Sequence, residues 1–413
     1  MSTGTRMGRE RIVVVGGGRA GHAAAERLRE SGFSGELTIV GEERHRPYNR
    51  TPLSKQVLTG EYALDELALP TFTDLDARWR LGCRALSLDT TRRTVRLGGA
   101  EELGYDGLVI ATGVDARVLP GAPMHSDRIH MLRTLEDAHY IDQAMGHATG
   151  RLLIVGGGFI GAEIASTARA RGLEVTMIDV NPVILSRALG QVLGAAAGDV
   201  HRDNGVRLHL GVAVTGWEVH DGGVRLTLGD GEVLDGDAAV VGIGTVPRTE
   251  WLTGAGAGLD TTDGVLATAT THAVGVADVV VAGDVARWPN LLFDDVPRRV
   301  EHWSNAIEMG QHAATSLLAG PGRSRAFTPV PRFWSEQHGV KIQSAGSPHL
   351  GSELRLLEGT LQARKFVAGY LQPSPSGERL LGLVAFDSPR ELLAYTPLIG
   401  QLVTGSAQDR IPA

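Results

Sequence analysis

Residues 11–42 read RIVVVGGGRAGHAAAERLRESGFSGELTIVGE, and this stretch decides the expected fold. Residues 11–15 form a short, β-branched apolar run that predicts a buried strand. A helical segment over 20–29, a second strand over 37–40 and Glu42 complete the unit. Between the first strand and the helix, three glycines follow G-x-G-x-x-G spacing: Gly16, Gly18 and Gly21. This order is typical of a dinucleotide-binding unit, in which the turn and helix N-terminus meet a pyrophosphate and the acid binds a ribose hydroxyl.

The same unit recurs over residues 151–179, RLLIVGGGFIGAEIASTARARGLEVTMID. A strand is predicted over 151–155, a helix over 159–171 and a second strand over 174–178, after which comes Asp179. The spaced glycines are again three: Gly156, Gly158 and Gly161. A single unit could be a tight turn that binds nothing, but two in the same context predict two bound dinucleotides. Such a pair suggests transfer of a nicotinamide hydride to a flavin.

The composition limits the class of protein. The chain has 413 residues, 42% hydrophobic and 21% charged, as expected for a globular protein of two or three domains. Its net charge of −7 argues against nucleic-acid or membrane-surface partners. No apolar segment is long enough for a secretory signal or membrane span, so a cytoplasmic location is expected. The one cysteine, Cys83, rules out an internal disulfide and a Cys-rich zinc module, and no metal site is expected.

Further motifs, distributed over nearly the whole chain, carry a family resemblance. They are PYNRTPLSK (47–55), LVIATG (108–113), LRTLEDA (132–138), GGGFIGAEIA (156–165), GIGTVPRTE (242–250), AGDVARWP (282–289), RVEHWSNAIEMGQHAA (299–314), FWSEQHGVKIQSAG (333–346) and FDSPRELL (386–393). With them the sequence resembles the FAD-dependent NAD(P)H:ferredoxin reductases of bacterial oxygenase systems. Two departures are Thr51, where the family usually has a proline, and Ala267, near which it usually has an acid.

The resemblance implies an α/β fold similar to glutathione reductase, with two Rossmann-like dinucleotide-binding domains and a smaller α+β C-terminal domain. The implied FAD-binding domain is discontinuous, over 1–115 and 245–322. An NAD-binding domain over 116–244 is inserted into it, and the C-terminal domain covers 323–413.

The resemblance places FAD on the first fingerprint, with Glu42 on its adenosine ribose. The other positions similar to flavin contacts of the family are Arg50, Lys55, Ala85, Ala111, Thr112, Gly113, Arg133, Asp284, Glu301, His302, Trp303 and Trp334. The nicotinamide cofactor is placed on the second fingerprint by Phe159, Ile160, Glu163, Asp179, Arg187, Gly242, Ile243 and Gly244, besides the three glycines. Asp179 favours NADH because a carboxylate repels a 2′-phosphate, although Arg187 leaves NADPH as an alternative.

Lys55 and Glu163 match a Lys–Glu ion pair that related reductases hold beside the flavin, and they are the catalytic candidates. A cation there favours the electron-rich flavin, and the carboxylate helps to position the nicotinamide. Without the resemblance, a solvated lysine and a helix-face carboxylate would be the ordinary interpretation. Thiol-using branches of this fold carry cysteine beside the flavin, but the matching segment TPLSKQVL (51–58), predicted as a helix, has none. Cys83 falls in a predicted strand, as a small core residue.

Electrons are therefore expected to leave one at a time for a 2Fe-2S ferredoxin that supplies a monooxygenase or dioxygenase. Docking of an acidic ferredoxin calls for basic residues, chiefly Arg298, Arg299 and Arg332, with Arg46, Arg50 and Lys341 as further candidates. Alternatives are a reductase of rubredoxin or another small redox protein, a nitrite-reductase partner, and an NADH-sensing flavoprotein resembling apoptosis-inducing factor.

Overall fold

The structure is a computed structural model that describes residues 9–147, 150–254 and 259–403. The chain divides into two compact units. The first takes its described residues from Met1–Asn49, Ala68–Asp115 and Val246–Pro331. The second takes them from Arg50–Leu67, Ala116–Thr245 and Arg332–Ala413.

A parallel sheet of five strands forms the centre of the first unit. Its order from edge to edge is Val279–Val281, Gly107–Ile110, Arg11–Val15, Glu36–Gly41 and Ala77–Leu81. The strand of the first fingerprint is therefore central, as its continuous apolar run predicts for a parallel sheet covered on both faces. Residues 12–15 of that strand are all buried.

Two helices of the first unit pack closely on one another. They are α1 (Arg19–Glu30) and α5 (Trp303–Ala319). The approach depends on Gly310, since a Cβ there would lie 2.3 Å from the carbonyl oxygen of Ala20. Two small sheets complete this unit. One is antiparallel and contains Ala85–Asp89, Thr94–Leu97 and Glu102–Gly104. In the other, Ala286–Pro289 pairs antiparallel with Pro297–Arg298 and parallel with Val265–Leu266.

The second unit contains a parallel sheet with an equivalent order. From edge to edge its strands are Val206–Leu210, Glu174–Asp179, Arg151–Val155, Ala238–Val241 and Ile129–His130. The strand of the second fingerprint is again central, which confirms the internal repeat. Three helices accompany the sheet: α2 (Leu135–His147), α3 (Phe159–Ala170) and α4 (Ser186–Asp203). An antiparallel sheet adds Val214–His220, Gly223–Leu228 and Val233–Gly236.

The C-terminal part of the second unit is an antiparallel sheet. Its strands run in the order Arg332–Gln337, Val340–Gly346, Gly377–Phe386, Lys365–Ser374 and Glu353–Thr360, with Leu402–Val403 on Gly377–Phe386. Stacked rings of Phe366 and Phe386, 4.7 Å apart, lie fully buried in it. Helix α6 (Pro389–Tyr395) follows, and the end of the predicted C-terminal domain, 404–413, lies outside the described residues. The short strands Val114–Ala116 and Thr245–Pro247 complete the list.

Two local predictions were wrong. Residues 51–60 form a series of turns instead of a helix, with backbone hydrogen bonds of mixed spacing, such as Val57 N–H to Pro52 O and Thr59 N–H to Lys55 O. Cys83 lies in the connection between the strands Ala77–Leu81 and Ala85–Asp89, where it is half-buried against the core. In the described ranges, no helix combines the length and apolar character needed to cross a membrane.

Candidate functional site

The first glycine turn is shaped by very close backbone contacts. Gly16 has a φ of +125°, and a Cβ there would lie 2.0 Å from the carbonyl oxygen of Ala111. A Cβ on Gly21 would lie 1.9 Å from the carbonyl oxygen of Gly16, so helix α1 can start against the strand only with glycine at this position. Both positions therefore require glycine for the fold itself, whatever binds nearby.

Gly18 is different, because a Cβ there would meet no atom within 4 Å among the described residues beyond its chain neighbours. It caps α1 without a side-chain hydrogen bond, and the first turn of the helix has no acidic residue. The first turn of α1 therefore carries no negative charge of its own, and the space beside the Cα of Gly18 is open among the described residues. This is the arrangement that accommodates a pyrophosphate, so the residues present fit a dinucleotide.

Glu42, the predicted ribose ligand, follows the strand Glu36–Gly41 and is held by an arginine. Its Oε2 accepts a hydrogen bond of 2.9 Å from Nη1 of Arg248, whose Nε donates to Asp115 over 2.5 Å. Burial acts to lower the pKa of Arg248, but the carboxylates of Asp115 and Glu42 outweigh it and raise the pKa. Arg248 was not among the predicted site residues, although the quoted GIGTVPRTE motif contains it.

The other predicted flavin residues of the first unit occupy several positions along its strands and helices. Thr112 donates its Oγ1 hydrogen to the carbonyl of Arg248, and the carbonyl of Gly113 accepts from the Arg248 N–H. Asp284 lies in a 3-10 turn after Val279–Val281, and Glu301, His302 and Trp303 lead into α5. Ala111 is buried at the end of its strand, and Ala85 begins a strand and is buried in the core.

The second glycine turn repeats the geometry of the first. Gly156 has a φ of +112°, with a virtual Cβ 2.3 Å from the carbonyl oxygen of Gly242, and a Cβ on Gly161 would lie 2.0 Å from the Gly156 oxygen. The nearest atom to a Cβ on Gly158 is 3.8 Å away, an ordinary contact. Helix α3 also starts without a capping side chain or an acid in its first turn. This turn too fits a dinucleotide pyrophosphate.

Asp179 ends the strand beside this turn and points back to it. Its Oδ2 accepts a 2.6 Å hydrogen bond from the Gly157 N–H, and its Oδ1 accepts one of 2.7 Å from the Asn181 N–H. Arg187, by contrast, is exposed at the start of α4. Gly242, Ile243 and Gly244 follow the strand Ala238–Val241, and Gly244 has a φ of +102°. A carboxylate therefore occupies the turn where a nucleotide ribose would be recognised.

Lys55 and Glu163, the two catalytic candidates, are brought together within the second unit. Nζ of Lys55 lies 2.8 Å from Oε2 of Glu163, and their side chains are 16% and 8% exposed. Both carboxylate oxygens are also hydrogen-bonded by serines: Ser54 Oγ donates to Oε2 over 2.5 Å and Ser335 Oγ to Oε1 over 2.7 Å. Sequence reasoning missed these serines, although each lies inside a quoted motif. A buried, fully hydrogen-bonded ion pair of this kind is held in one geometry.

The remaining predicted residues of the second unit occupy separate positions. Arg50 donates a 2.6 Å hydrogen bond from Nη1 to the carbonyl oxygen of Arg133. Phe159 packs on Phe333 with ring centroids 4.6 Å apart, and Ile160 is partly exposed in the first turn of α3. The indole of Trp334 is 43% exposed on the first strand of the C-terminal sheet, so its surface is available to a planar ligand.

The arginines expected to dock a partner differ in how far they are exposed to solvent. Arg298 makes two hydrogen bonds, of 2.6 and 2.9 Å, to the carboxylate of Asp294. Arg299, only 13% exposed, pairs with Asp263 and Glu301. Arg332 is exposed at the start of its strand. Neighbouring carboxylates thus offset the charges of Arg298 and Arg299, which the sequence motif alone did not indicate.

Comparison with known families settles the class of this molecule. Residues 10–310 match the family described as pyridine nucleotide-disulphide oxidoreductase, and residues 332–409 match the reductase C-terminal family. The chain belongs to the pyridine nucleotide-disulphide oxidoreductases. Its expected fold class, with dinucleotide-binding domains and a C-terminal reductase domain, is confirmed.

Individual relatives narrow the comparison. The ferredoxin–NAD(+) reductase component of the p-cumate 2,3-dioxygenase system of Pseudomonas putida is 35% identical over 92% of this chain and 91% of its own length. Rhodocoxin reductase of Rhodococcus erythropolis is 33% identical over 94% of this chain and 89% of its own. The covalent putidaredoxin reductase–putidaredoxin complex contains a chain with a TM-score of 0.88 and 30% identity, covering 95% of this chain and 94% of that one. The resemblance to ferredoxin reductases is therefore confirmed.

Proposed function

We propose that this oxidoreductase is an FAD-dependent NADH:ferredoxin reductase that supplies electrons to a monooxygenase or dioxygenase through a 2Fe-2S ferredoxin. The observation that carries the proposal is the pair of glycine turns, one in each unit, each leading into a helix that has no acid in its first turn and no side-chain hydrogen bond at its N-cap. The relatives named above support the choice of a ferredoxin as electron acceptor.

The first turn would hold FAD. Its N–H groups at the start of α1 would bind the pyrophosphate, and Glu42, aimed by Arg248, would accept a hydrogen bond from the ribose. The flavin, when bound, supplies the ability to accept a hydride and to release electrons singly, which amino-acid side chains lack.

The second turn would hold NADH in preference to NADPH. Both oxygens of Asp179 already accept backbone N–H bonds, so the carboxylate is fixed in place with its charge at the turn. A fixed carboxylate can accept bonds from ribose hydroxyls and repels a 2′-phosphate. The exposed Arg187, the candidate cation for that phosphate, lies in the first turn of α4.

Lys55 and Glu163 would orient the reactants. Lys55 supplies a fixed positive charge, and Glu163 holds that ammonium in one position over 2.8 Å. Because the pair is largely shielded from water, its dipole is screened less at a nearby ring than that of a solvated ion pair. The carboxylate would also help to place the nicotinamide carboxamide.

Electrons would leave this protein without a thiol relay, because the whole sequence contains only Cys83. The acceptor is inferred to be an acidic ferredoxin that docks on Arg298, Arg299 and Arg332, with the exposed Arg332 as the main contributor. We also infer the three-domain plan described above, because each implied domain has its own sheet. A cytoplasmic location is part of the same inference.

An anaerobic titration tests the proposal. The purified protein should carry flavin absorbance that NADH bleaches within milliseconds and NADPH bleaches much more slowly. Ferredoxin and rubredoxin are then compared in a cytochrome c relay, where ferredoxin should give the higher turnover. Absence of flavin would contradict the proposal, and reduction over minutes would instead favour an NADH-sensing role.

A further inference from the structure

A continuous chain of hydrogen bonds runs from Glu163 to a pair of histidines inside the second unit. From the carboxylate outward, the four steps are Glu163 Oε1 to Ser335 Oγ (2.7 Å), Ser335 Oγ to Gln337 Nε2 (3.0 Å), Gln337 Oε1 to His201 Nε2 (3.0 Å) and His201 Nδ1 to His338 Nε2 (3.0 Å). None of these bonds was anticipated from the sequence.

The chain arises where one strand packs along one face of α3. Phe333, Ser335 and Gln337 alternate along the strand Arg332–Gln337, so their side chains share a face. Along α3, Phe159 packs on Phe333 and Glu163 bonds Ser335, while the hydroxyl of Ser166 accepts the His338 N–H over 2.7 Å. Residues 333, 335 and 338 thus meet residues 159, 163 and 166, which lie three or four positions apart on the same face of α3.

Glu163 sets the direction of every bond in this chain. An ionised carboxylate only accepts, so the single hydroxyl proton of Ser335 must point to it, and Ser335 must accept from Gln337. The amide of Gln337 then has its oxygen toward His201, which must donate from Nε2. A neutral His201 has no proton left for Nδ1, so His338 donates to it from Nε2. All donors therefore point toward the carboxylate, an arrangement in which each bond strengthens the next.

Most of the side chains in this hydrogen-bond chain are buried, so water cannot replace a bond that is lost. Ser335 and His201 are 0% exposed, Gln337 is 1% exposed, and Glu163 is 6% exposed. Desolvation lowers the pKa of His201, and it lowers the pKa of His338 to about 4, with His201 and Arg169 adding to the effect. Both rings are therefore neutral near pH 7, which the direction derived above requires. Removing any member leaves a buried polar group without a partner.

We propose that Ser335, Gln337, His201 and His338 are positioning residues that hold the Glu163 carboxylate in the orientation that pairs with Lys55. The inference rests on the proposed function, in which that ion pair orients the reactants. This series of hydrogen bonds links the ion pair to the C-terminal sheet. Ser335, Gln337 and the two histidines would therefore set how firmly the Glu163 carboxylate is held.

A double-mutant cycle separates positioning from a structural role. Ser335→Ala should slow reduction of the bound flavin by NADH about tenfold, because it removes a hydrogen bond to a charged group. In a Glu163→Met background, which has nearly the same length but no acceptor for the Ser335 hydroxyl, the same change should alter the rate less than about twofold, since it acts through the carboxylate. Equal slowing in both backgrounds would overturn the proposal.

The matched control is Ser344→Ala on the adjacent strand Val340–Gly346. Ser344 is 2% exposed, and its hydroxyl has no hydrogen-bond partner among the described residues. The control should leave the rate within about twofold of the parent. If Ser335→Ala does not fold, Gln337→Met takes its place in the same cycle, because it breaks the next bond and nearly preserves the side-chain length.

A second readout is independent of turnover. ¹⁵N NMR of labelled histidines in the holoenzyme should show both His201 and His338 as Nε2–H tautomers at pH 7. Gln337→Met should shift the His201 Nε2 resonance, whereas Ser344→Ala should not. An Nδ1–H tautomer at His201 would overturn the proposal even in an active enzyme. If NADH fails to reduce the parent flavin, the proposed function is wrong. The histidine tautomers still test the direction of the hydrogen bonds independently of that result.

Discussion

Nζ of Lys55 lies 2.8 Å from Oε2 of Glu163, and the ammonium comes from a turn segment whereas the carboxylate comes from the middle of a helix. Glu163 lies within a run of five consecutive buried helix residues, 161–165, so its side chain has little freedom. The turns over 51–60 place Lys55 opposite it, supported by Thr167 Oγ1, which donates to the Ser54 carbonyl over 3.0 Å. Both the helix and the turn segment therefore fix the positions of the two charged side chains.

Replacing Lys55 with methionine should slow flavin reduction by NADH at least about tenfold. The substitution keeps the length of the side chain but leaves the buried Glu163 carboxylate without its cation, which destabilises the fold by about 1–3 kcal/mol as well. Stopped-flow absorbance and thermal unfolding measure the two effects. The exposed Lys365→Met serves as control. An unchanged reduction rate would show that the ion pair has no role in the reaction.

Alanine at the two open glycines should separate the two cofactors. A Cβ on Gly18 would meet nothing within 4 Å in the described part of the chain apart from its neighbours, so Gly18→Ala should keep the fold while it fills the space for the FAD pyrophosphate. We expect a clear loss of bound flavin with little change in apoprotein stability. Gly158→Ala should keep the flavin and raise the Kd for NADH about tenfold or more.

Flavin content by absorbance and NADH binding by calorimetry distinguish these outcomes. Gly322→Ala is the control, since its Cβ would also meet no atom within 4 Å in residues 9–147, 150–254 and 259–403 beyond its chain neighbours. Loss of flavin in the Gly158 variant, or of NADH binding alone in the Gly18 variant, would reverse the assignment of the two turns.

The charge at Asp179 should set the nucleotide preference. Asp179→Asn combined with Val180→Arg replaces a fixed negative charge by a positive one beside the ribose, because Val180 is 66% exposed and the arginine has room. We expect the ratio of kcat/KM for NADH over NADPH to fall by about 10–100-fold. Val180→Arg alone should shift it less. An unchanged ratio in the double variant would place the selectivity elsewhere.

Charge reversal should weaken ferredoxin docking more at Arg332 than at Arg298. Arg298 is only 33% exposed and is held by Asp294, whereas Arg332 is among the exposed residues, so its charge is more accessible to a partner. Arg332→Glu should raise the KM for ferredoxin about fivefold, and Arg298→Glu about twofold, with both effects reduced by salt. Turnover with ferricyanide should be unchanged, and the exposed Arg207→Glu is the control. Equal loss with ferricyanide would contradict a docking role.

Stability should fall as the pH decreases from about 6.5 toward 4. Burial lowers the pKa of His338 from 6.5 to about 4, so in this window the unfolded chain binds a proton that the folded chain does not. The full contribution is present above pH 6.5. Since His338 is half-exposed, screening limits it to about 1 kcal/mol between pH 7 and 5.

His338→Asn should make this dependence shallower, because it removes the titrating ring. Asparagine tolerates the left-handed φ of +50° at this position. Urea unfolding at pH 8, 6.5 and 5 provides the measurement, with pH 8 as the reference for the substitution itself. The same slope in parent and variant would show that His338 does not contribute to acid lability.

Much of the fold could be predicted because its signals are local. Apolar runs with spaced glycines located the strands Arg11–Val15 and Arg151–Val155 at their observed bounds. Residues 51–58 were wrongly predicted as a helix, since their composition allows one while the observed turns satisfy the backbone through mixed hydrogen-bond spacing. Arg248 and Ser335 lay inside quoted motifs, yet nothing in the motif indicates which side chain faces Glu42 or Glu163.

By itself the sequence determined the two dinucleotide units, their central strands and the positions that must be glycine. The spacing of the glycines reflects local contacts, such as the approach of Gly21 to the Gly16 carbonyl, although Gly16 also meets the distant carbonyl of Ala111. Only the tertiary structure decided what surrounds Glu163. Its partners come from the turn segment and from a C-terminal strand, and which of their atoms meet depends on how that strand packs along α3. The Glu163 carboxylate can only accept hydrogen bonds. Each group of the hydrogen-bond chain from Ser335 to His338 therefore has to donate in the direction of Glu163.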